Sequence, residues 1–454
     1  MALTWPCWTF DVKPAFGCIQ RRARVPAATE WTSSGPRWGC RTMVHVTRLA
    51  DSVLPLIRTR SDLSRWGAAN AHGRQMHEAV DMLEAALPAT EPGEAYAVST
   101  KALASAIKVI ARADDSSGII GDACRRLLAL HPQTATAAAV PPARLAAWMV
   151  KFQFDGDVDY FEIDPVAYSP ALGASGLAAY RARLNDIEAG LGPTPAVGDR
   201  WNSPHAHEWF VLEWNARRLA VLDRDHEAIV RTHARDRKVA AWLEDTARAF
   251  SEIGEADLAI HWAKQATDFD QGHQARRASD YWCALLAEHR PIELVGARLT
   301  LFRRWPSAST ATHLHRALGA AWTGYRDEVE ATLRTHPREA VLFALLTLDD
   351  VAYAWHLAHT LDLADNDLWE RLANRYETTD PAAVIPVLAR LVDQELTEAG
   401  AQHYRAAARR LARMRKLAAN LPQAAEIDQY VTQLRDLHRR RPRLQQEFDR
   451  AGLP

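Results

Sequence analysis

The chain has 454 residues, of which 48% are hydrophobic and 24% are charged. These fractions are ordinary for a folded globular protein, and they exclude a chain that is disordered throughout. Lys and Arg number 55 against 56 Asp and Glu, so the formal charge of -1 excludes a global field that attracts nucleic acid, a membrane surface or an anionic substrate.

The first 42 residues contain several prolines and glycines but no helical or strand periodicity. Such a segment is typical of a disordered extension. The alternative is that translation begins at Met43, because helical periodicity starts soon afterwards in "VTRLADSVLPLI". Residues 1–42 are therefore predicted to be either a disordered extension or a mis-assigned start.

Residues 43–200 are predicted to form an N-terminal helical unit. From about residue 72 onward, apolar residues recur at spacings of three and four, which indicates helices with one buried face. The stretch "ADDSSGIIGDACRRLLALH" (113–131) joins two of these helices. We expect Ser116 or Ser117 to cap the second helix, with two aspartates near its positive end.

A ligand loop is the alternative interpretation of this stretch. A calcium loop needs Gly at its sixth position and Glu at its twelfth, and aligning Gly118 with the sixth leaves Cys124 at the twelfth. A phosphate loop needs a strand before its glycines and a Lys beside them, and neither is present. The pattern therefore favours a capped turn.

The unit ends in irregular sequence. The stretch "FDGDVDYFEIDPVAYSPALGASG" (154–176) is predicted to be a solvated acidic loop, because Tyr160 stands where a calcium loop requires Gly. The stretch "GLGPTPAVGDRWNSP" (190–204) has the composition of a linker. We place a boundary between two units near residue 200.

Residues 201–454 are predicted to be degenerate TPR-like helical repeats that end in a basic helical tail. In "WLEDTARAFSEIGEADLAIHWAKQA", small and large residues fall at the offsets of a 34-residue helix-turn-helix repeat: Leu243, Ala247, Phe250, Gly254, Ala259 and Ala266. The stretch "DLWERLANRY" matches the first helix of another repeat. The predicted fold is all-α, a TPR-like helical-repeat α-solenoid with an N-terminal helical unit and a disordered N-terminal extension.

The basic tail supplies the candidate contact residues. They are arginines close together in sequence: Arg435, Arg439, Arg440, Arg441 and Arg443. Acidic residues such as Asp436 and Glu447 dilute the positive charge, which favours a solvated helix face. Contact with a partner or with nucleic acid stays open as the alternative.

No catalytic signature accompanies these features. The stretches "HEWFV" and "HEAIV" begin like a zinc-protease motif, but Val211 and Val230 stand where the second His ligand belongs. There is no nucleophile elbow, glycine-rich phosphate loop or Cys-x-x-Cys pair. We therefore predict no catalytic, cofactor-binding or metal-ligating residues.

The cysteines and the apolar runs bear on the compartment. The five cysteines show no disulfide spacing, and no run of about eighteen apolar residues occurs. The first twenty residues lack the basic and apolar regions of a secretory signal. These observations predict a cytoplasmic protein without a membrane span.

Several stretches resemble the helical region that follows the zinc finger in bacterial SWIM zinc-finger proteins, an uncharacterised family. They include "RADDSSGIIGDACRRLLALH", "DLWERLANRY" and "YVTQLRDLHRRRPRLQQEFDRAGL", and the resemblance covers about residues 60–454. The finger itself, Cys-x-Cys followed by Cys-x-His, is absent, because no Cys-x-Cys occurs. The resemblance implies a helical-repeat body of unknown activity and brings no site residues.

The function expected from the sequence is a non-enzymatic scaffold for protein-protein interaction, with an unidentified protein as its partner. The alternative is a nucleic-acid-associated accessory protein that makes weak contacts through the C-terminal arginines. An enzyme whose site assembles only in three dimensions is a third hypothesis. No cofactor and no small-molecule substrate are predicted.

Overall fold

The computed structural model describes residues 48–155, 161–195 and 202–454. These residues form helices joined by turns, and they contain no strand. The prediction of an all-α protein is therefore confirmed. The predictions for residues 1–42 and for the boundary near residue 200 concern positions outside the described residues. The acidic loop predicted over 154–176 is too long, because a helix begins at Pro165; residues 156–160 of that stretch also lie outside the described residues.

The first six helices belong to the predicted N-terminal unit. They are α1 (Leu49–Ile57), α2 (Trp66–Ala86), α3 (Pro92–Ile110), α4 (Ile119–Ala137), α5 (Pro142–Phe154) and α6 (Pro165–Leu191). Helix α6 is broken at Gly173, whose φ of 55° and ψ of -172° are not helical. After the break, the helix continues to Leu191 and α6 as a whole packs against the helix that follows it.

The remaining helices follow with short connections. They are α7 (Ala206–Leu222), α8 (His226–Ile229), α9 (Ala240–Glu252), α10 (Ala256–Asp268), α11 (His273–His289), α12 (Pro291–Arg304), α13 (Ala308–Leu318), α14 (Arg326–Arg334), α15 (Pro337–Leu346), α16 (Val351–Thr360), α17 (Asn366–Tyr376), α18 (Pro381–Glu395), α19 (Ala401–Ala418), α20 (Ala424–Leu437) and α21 (Pro442–Arg450). A π-helical turn, Val230–Ala234, continues α8.

The helices pack in chain order. Among the described residues, every substantial helix-helix contact joins helices that lie no more than two places apart in the sequence. The buried apolar side chains accordingly form successive clusters, built mainly from α1 to α4, α4 to α7, α7 to α12 and α12 to α21. The core is therefore a series of adjoining cores and has no single centre.

The pair α9 and α10 shows how local sequence produces this packing. The large residues Leu243 and Phe250 are buried, and the small residues Ala247 and Ala259 are buried where the two helices meet. Gly254 has a φ of 79°, so the turn between the helices uses the left-handed conformation that glycine adopts without steric cost.

The loop before α4 corrects one expectation. Ser116 makes no hydrogen bond with the start of α4, and the Ser117 hydroxyl accepts only one long hydrogen bond, from the Ile119 N–H (3.5 Å). The main cap is the Asp115 carboxylate, which accepts hydrogen bonds from the backbone N–H groups of Ile120 (2.9 Å) and Gly121 (2.8 Å). The Ser117 hydroxyl donates to the side chain of an asparagine in α2. The loop is thus a capped turn, as predicted, but an aspartate supplies the cap.

Candidate functional site

Three of the five predicted C-terminal arginines are engaged within the fold. Arg435 donates to Asp449 (2.8 Å), and Arg441 donates to the carbonyl oxygen of Leu396 (2.7 Å). Arg443 forms an ion pair with a buried glutamate of α21. Their guanidinium groups hold the last helices together, and this use competes with binding an external phosphate.

The other two predicted arginines are available. Arg439 and Arg440 are exposed in the turn between α20 and α21, and their side chains make no hydrogen bond or ion pair with the described residues. Leu437 precedes them and is 75% exposed. The structure therefore has one large exposed apolar side chain close in sequence to two arginines that have no partner among the described residues.

A cavity of about 620 Å³ lies between α6, α7 and the π-helical turn. Its volume falls within the range of sites that bind small ligands or a partner's side chains. Trp209, Leu184 and Leu219 contribute buried apolar surface, and Leu212 lines it from α7. This is the candidate site, and we call it the α6–α7 cavity.

A closed ring of three hydrogen bonds fixes the helices beside this cavity. The Gln153 amide donates to the Tyr180 hydroxyl (2.7 Å), Tyr180 donates to Asn215 (2.6 Å), and Asn215 donates back to Gln153 (3.0 Å). All three side chains are buried, and burial raises the pKa of Tyr180, which keeps its hydroxyl protonated as a donor. The ring therefore sets the positions of α5, α6 and α7 relative to one another.

The wall formed by residues 230–237 has a strained backbone. Arg235 has a φ of 49° and a ψ of -121°, and the turn closes with a hydrogen bond from the Arg237 N–H to the Ala234 carbonyl (2.8 Å). This is the first central position of a type II′ turn, where glycine is strongly preferred. Gly319 has the same angles elsewhere in the chain, 50° and -120°.

Side-chain contacts hold Arg235 in this conformation. Its guanidinium forms an ion pair with Glu213 of α7, and its central carbon lies 4.7 Å from the centre of the Trp242 ring. Strain of this kind costs about 1–3 kcal/mol and concentrates at functional sites. The strained turn brings Arg235 and its neighbours to the cavity wall.

The charges around the cavity are only partly paired. Arg181 donates two hydrogen bonds to Asp223, at 2.7 and 2.8 Å, and Arg235 is held by Glu213. Arg231 and Glu188 line the cavity as exposed side chains, and neither pairs with any residue that the structure describes. Among the described residues, the cavity therefore combines apolar walls with one cation and one anion that have no charged partner.

Sequence reasoning missed this site. The stretch "HEAIVRTHARDRK" resembles only an incomplete zinc motif, in which Val230 replaces the second ligand after His226. The concentration of basic residues from Arg231 to Lys238 was the available signal. In the described parts of the chain, no three His, Cys, Asp or Glu side chains are grouped so that they could hold a metal ion.

The described residues form an all-helical protein with a partly apolar, charged cavity. Residues 47–444 match the model of DUF6880, a family of unknown function, and the chain belongs to this family. No curated protein matches the sequence. None of the described helices has the length and apolar character that crossing a membrane requires.

Proposed function

We propose that the protein is a non-enzymatic, cytoplasmic scaffold, a TPR-like α-solenoid that binds a segment of another protein. The observation that carries this proposal is the α6–α7 cavity, in which apolar walls adjoin the unpaired charges of Arg231 and Glu188. Partner side chains are recognised in this way, with apolar anchors in a pocket and charged groups at its edge.

The packing of the helices supports the same proposal. Contacts limited to helices one or two places away in the chain are typical of an extended frame, and such frames present long surfaces to partners. The buried residues of the α9–α10 pair fit a TPR-like unit, since small and large side chains alternate at their contact. The resemblance to SWIM-family helical regions stays a prediction.

Co-purification from native lysate at physiological salt tests the scaffold. We expect the tagged full chain to retain a defined protein, and the Ala216→Trp variant to lose it, because Ala216 is exposed and lines the cavity. Ala182→Trp is the matched control, since Ala182 is exposed on α6 outside the cavity lining. Failure of the unmodified chain to retain any protein would contradict the proposal.

A weak contact with nucleic acid is the second candidate function, and the unpaired side chains of Arg439 and Arg440 favour it. Two lost phosphate contacts should reduce the slope of log affinity against log salt by about 2. Fluorescence anisotropy with a duplex DNA and a single-stranded RNA, on the Arg439→Ala/Arg440→Ala variant, measures this change. An unchanged affinity and slope would exclude these arginines as the contact.

A further inference from the structure

We propose that the partner segment bound in the α6–α7 cavity continues into a second, neighbouring cavity and places an acidic side chain on Arg231, with apolar side chains on both sides of it. This inference rests on the proposed scaffold function and specifies the chemistry of its partner. The observation that carries it is that Arg231 lines both cavities. Among the described residues, no other residue does so.

The second cavity has a volume of about 460 Å³ and is lined by residues of α8, the π-helical turn, α9 and α10. We call it the α8–α10 cavity. Phe250 and Trp262 lie almost fully buried in its lining, and Val230 and Leu258 add partly exposed aliphatic surface. Pockets of this kind receive the apolar anchor residues of a partner, because the anchor leaves water when it binds.

The π-helical turn holds Arg231 at the border of the two cavities. His233 and Ala234 of this turn are buried, and the Nδ1 atom of His233 lies 3.1 Å from the carbonyl oxygen of Ile229. These contacts fix the inner side of the turn. Arg231 is exposed, and its side chain makes no hydrogen bond or ion pair with any described residue. Its guanidinium group is therefore available to a ligand.

The other charged residues of the two linings leave Arg231 as the cation that needs a partner. In the α6–α7 cavity, four of them take part in the ion pairs Arg181–Asp223, Arg235–Glu213 and Asp236–Lys238. In the α8–α10 cavity, His226 lies 3.6 Å from Glu255. Glu188 and Glu227 have no charged partner among the described residues, but each lines one cavity only. A segment that crosses from one cavity to the other therefore meets Arg231, and charge complementarity selects an acidic group for it.

The two apolar side chains of the segment must share a face with the acidic one. Same-face side chains lie two residues apart in an extended segment and three or four residues apart in a helix. A peptide with leucines two and four residues before and after a central glutamate therefore presents apolar groups beside the glutamate in either conformation. Its core is Leu-Ala-Leu-Ala-Glu-Ala-Leu-Ala-Leu.

Fluorescence anisotropy with labelled peptides tests the assignment on the full chain. Besides this Glu-centred peptide, the set contains a Lys-centred peptide and two half peptides, in which the leucines before or after the glutamate are replaced by serines. All carry identical Gly-Ser flanks. We expect the Glu-centred peptide to bind roughly tenfold more tightly than the Lys-centred one, because glutamate complements Arg231. The same roughly tenfold advantage is expected over either half peptide, because each lacks one anchor.

Variants of Arg231 test the acidic contact. Arg231→Glu should reverse the order of the Glu-centred and Lys-centred peptides, whereas Arg231→Lys should keep it because the positive charge remains. Arg183→Glu is the matched control, since Arg183 is exposed on α6 and lines neither cavity. Glu188→Gln and Glu227→Gln should also keep the order, because neither changes the charge at Arg231.

Variants that fill one cavity test the two anchors. Ala216→Trp should block the α6–α7 cavity and Glu227→Trp the α8–α10 cavity, because both residues are exposed and line the cavity concerned. Each variant should bind the Glu-centred peptide no more tightly than the better half peptide, since one anchor has lost its pocket. Ala182→Trp is the control for added bulk, because Ala182 lines neither cavity. Glu227→Gln separates the lost charge from the added bulk.

Three outcomes would overturn the inference: the Glu-centred peptide does not bind, Arg231→Glu keeps the original order, or Glu227→Trp leaves the affinity for the Glu-centred peptide unchanged. If the lysate partner is nevertheless retained by the unmodified chain and lost with Ala216→Trp, the scaffold function stands and only the partner chemistry is wrong. If no partner is retained from lysate, the scaffold function itself fails. The two failures are therefore distinguishable.

Discussion

His131 of α4 should make the stability of the protein depend on pH. Its ring is fully buried, with Nδ1 2.9 Å from the Tyr168 hydroxyl and Nε2 3.0 Å from the Thr100 hydroxyl. It stacks on Trp148 at a centroid distance of 4.2 Å. Burial lowers the pKa of His131 from 6.5 to about 4, because the charged ring would lose its hydration.

Whether the free energy of unfolding rises or falls with pH depends on which state, folded or unfolded, binds the proton at the higher pH. Above about pH 6.5, His131 is neutral in both the folded and the unfolded chain, and its contribution to stability is complete. As the pH falls, the unfolded chain is protonated before the folded one, which lowers the free energy of unfolding. The loss is about 2 kcal/mol at pH 5 and about 3 kcal/mol at pH 4.

Urea unfolding followed by circular dichroism, at pH 7.5 and pH 5.0, measures this effect. We expect the unmodified chain to lose about 2 kcal/mol more than the His131→Gln variant between the two pH values. His233 is also buried, with a pKa lowered to about 4, and it adds a similar loss in both proteins. His273→Gln is the control, because His273 is exposed. Equal losses in the unmodified chain and in His131→Gln would refute the reasoning.

Three further substitutions test the local structure by urea unfolding at pH 7.5. Asp115→Ala should cost about 1–2 kcal/mol, because two N–H groups of α4 lose their acceptor, whereas Ser116→Ala should be neutral. Gly319→Ala should cost about 1–3 kcal/mol, since its backbone conformation disfavours a side chain. Tyr180→Phe should cost about 1–3 kcal/mol, because it opens the buried ring of hydrogen bonds. If Asp115→Ala, Gly319→Ala or Tyr180→Phe leaves the free energy of unfolding unchanged, the role assigned to that residue is wrong.

The sequence predicts the helices well where their signal is periodic and local. In the α9–α10 pair, Leu243, Phe250 and Gly254 stand at the predicted repeat positions; the structure buries Leu243 and Phe250 and has Gly254 in the turn between the helices. These features depend on residues within one helical turn of each other. The spacing of apolar residues and the residues typical of turns are therefore sufficient to predict these helices.

Contacts between distant segments could not be predicted in the same way. Ser117 is a suitable cap by composition, but its hydroxyl is bound to Asn70, 47 residues earlier, and Asp115 reaches the helix instead. In the basic tail, Arg410 forms an ion pair with Glu370, forty residues before it. Whether a side chain is free to cap a helix or to bind a ligand depends on its partners in the folded protein. Those partners lie far away in the sequence, so local sequence patterns do not reveal them.

The α6–α7 cavity lay beyond sequence reasoning for a related reason. Its walls come from α6, from α7 and from residues 231–236, which include the strained turn at Arg235. Glycine marks the same backbone conformation at Gly319, but an arginine gives no such signal. A strained position held by side-chain contacts is recognisable only when those contacts are seen.

The packing of helices only against neighbours in chain order has a mechanical consequence. A protein with one central core resists stretching until that core breaks, and then it extends in one event. Here each helix contacts only helices one or two places away in the chain, so pulling the ends apart should release small groups of helices in a series of steps. Loss of the last helices should likewise leave the helices around the α6–α7 cavity in place, because no substantial contact among the described residues links the two regions.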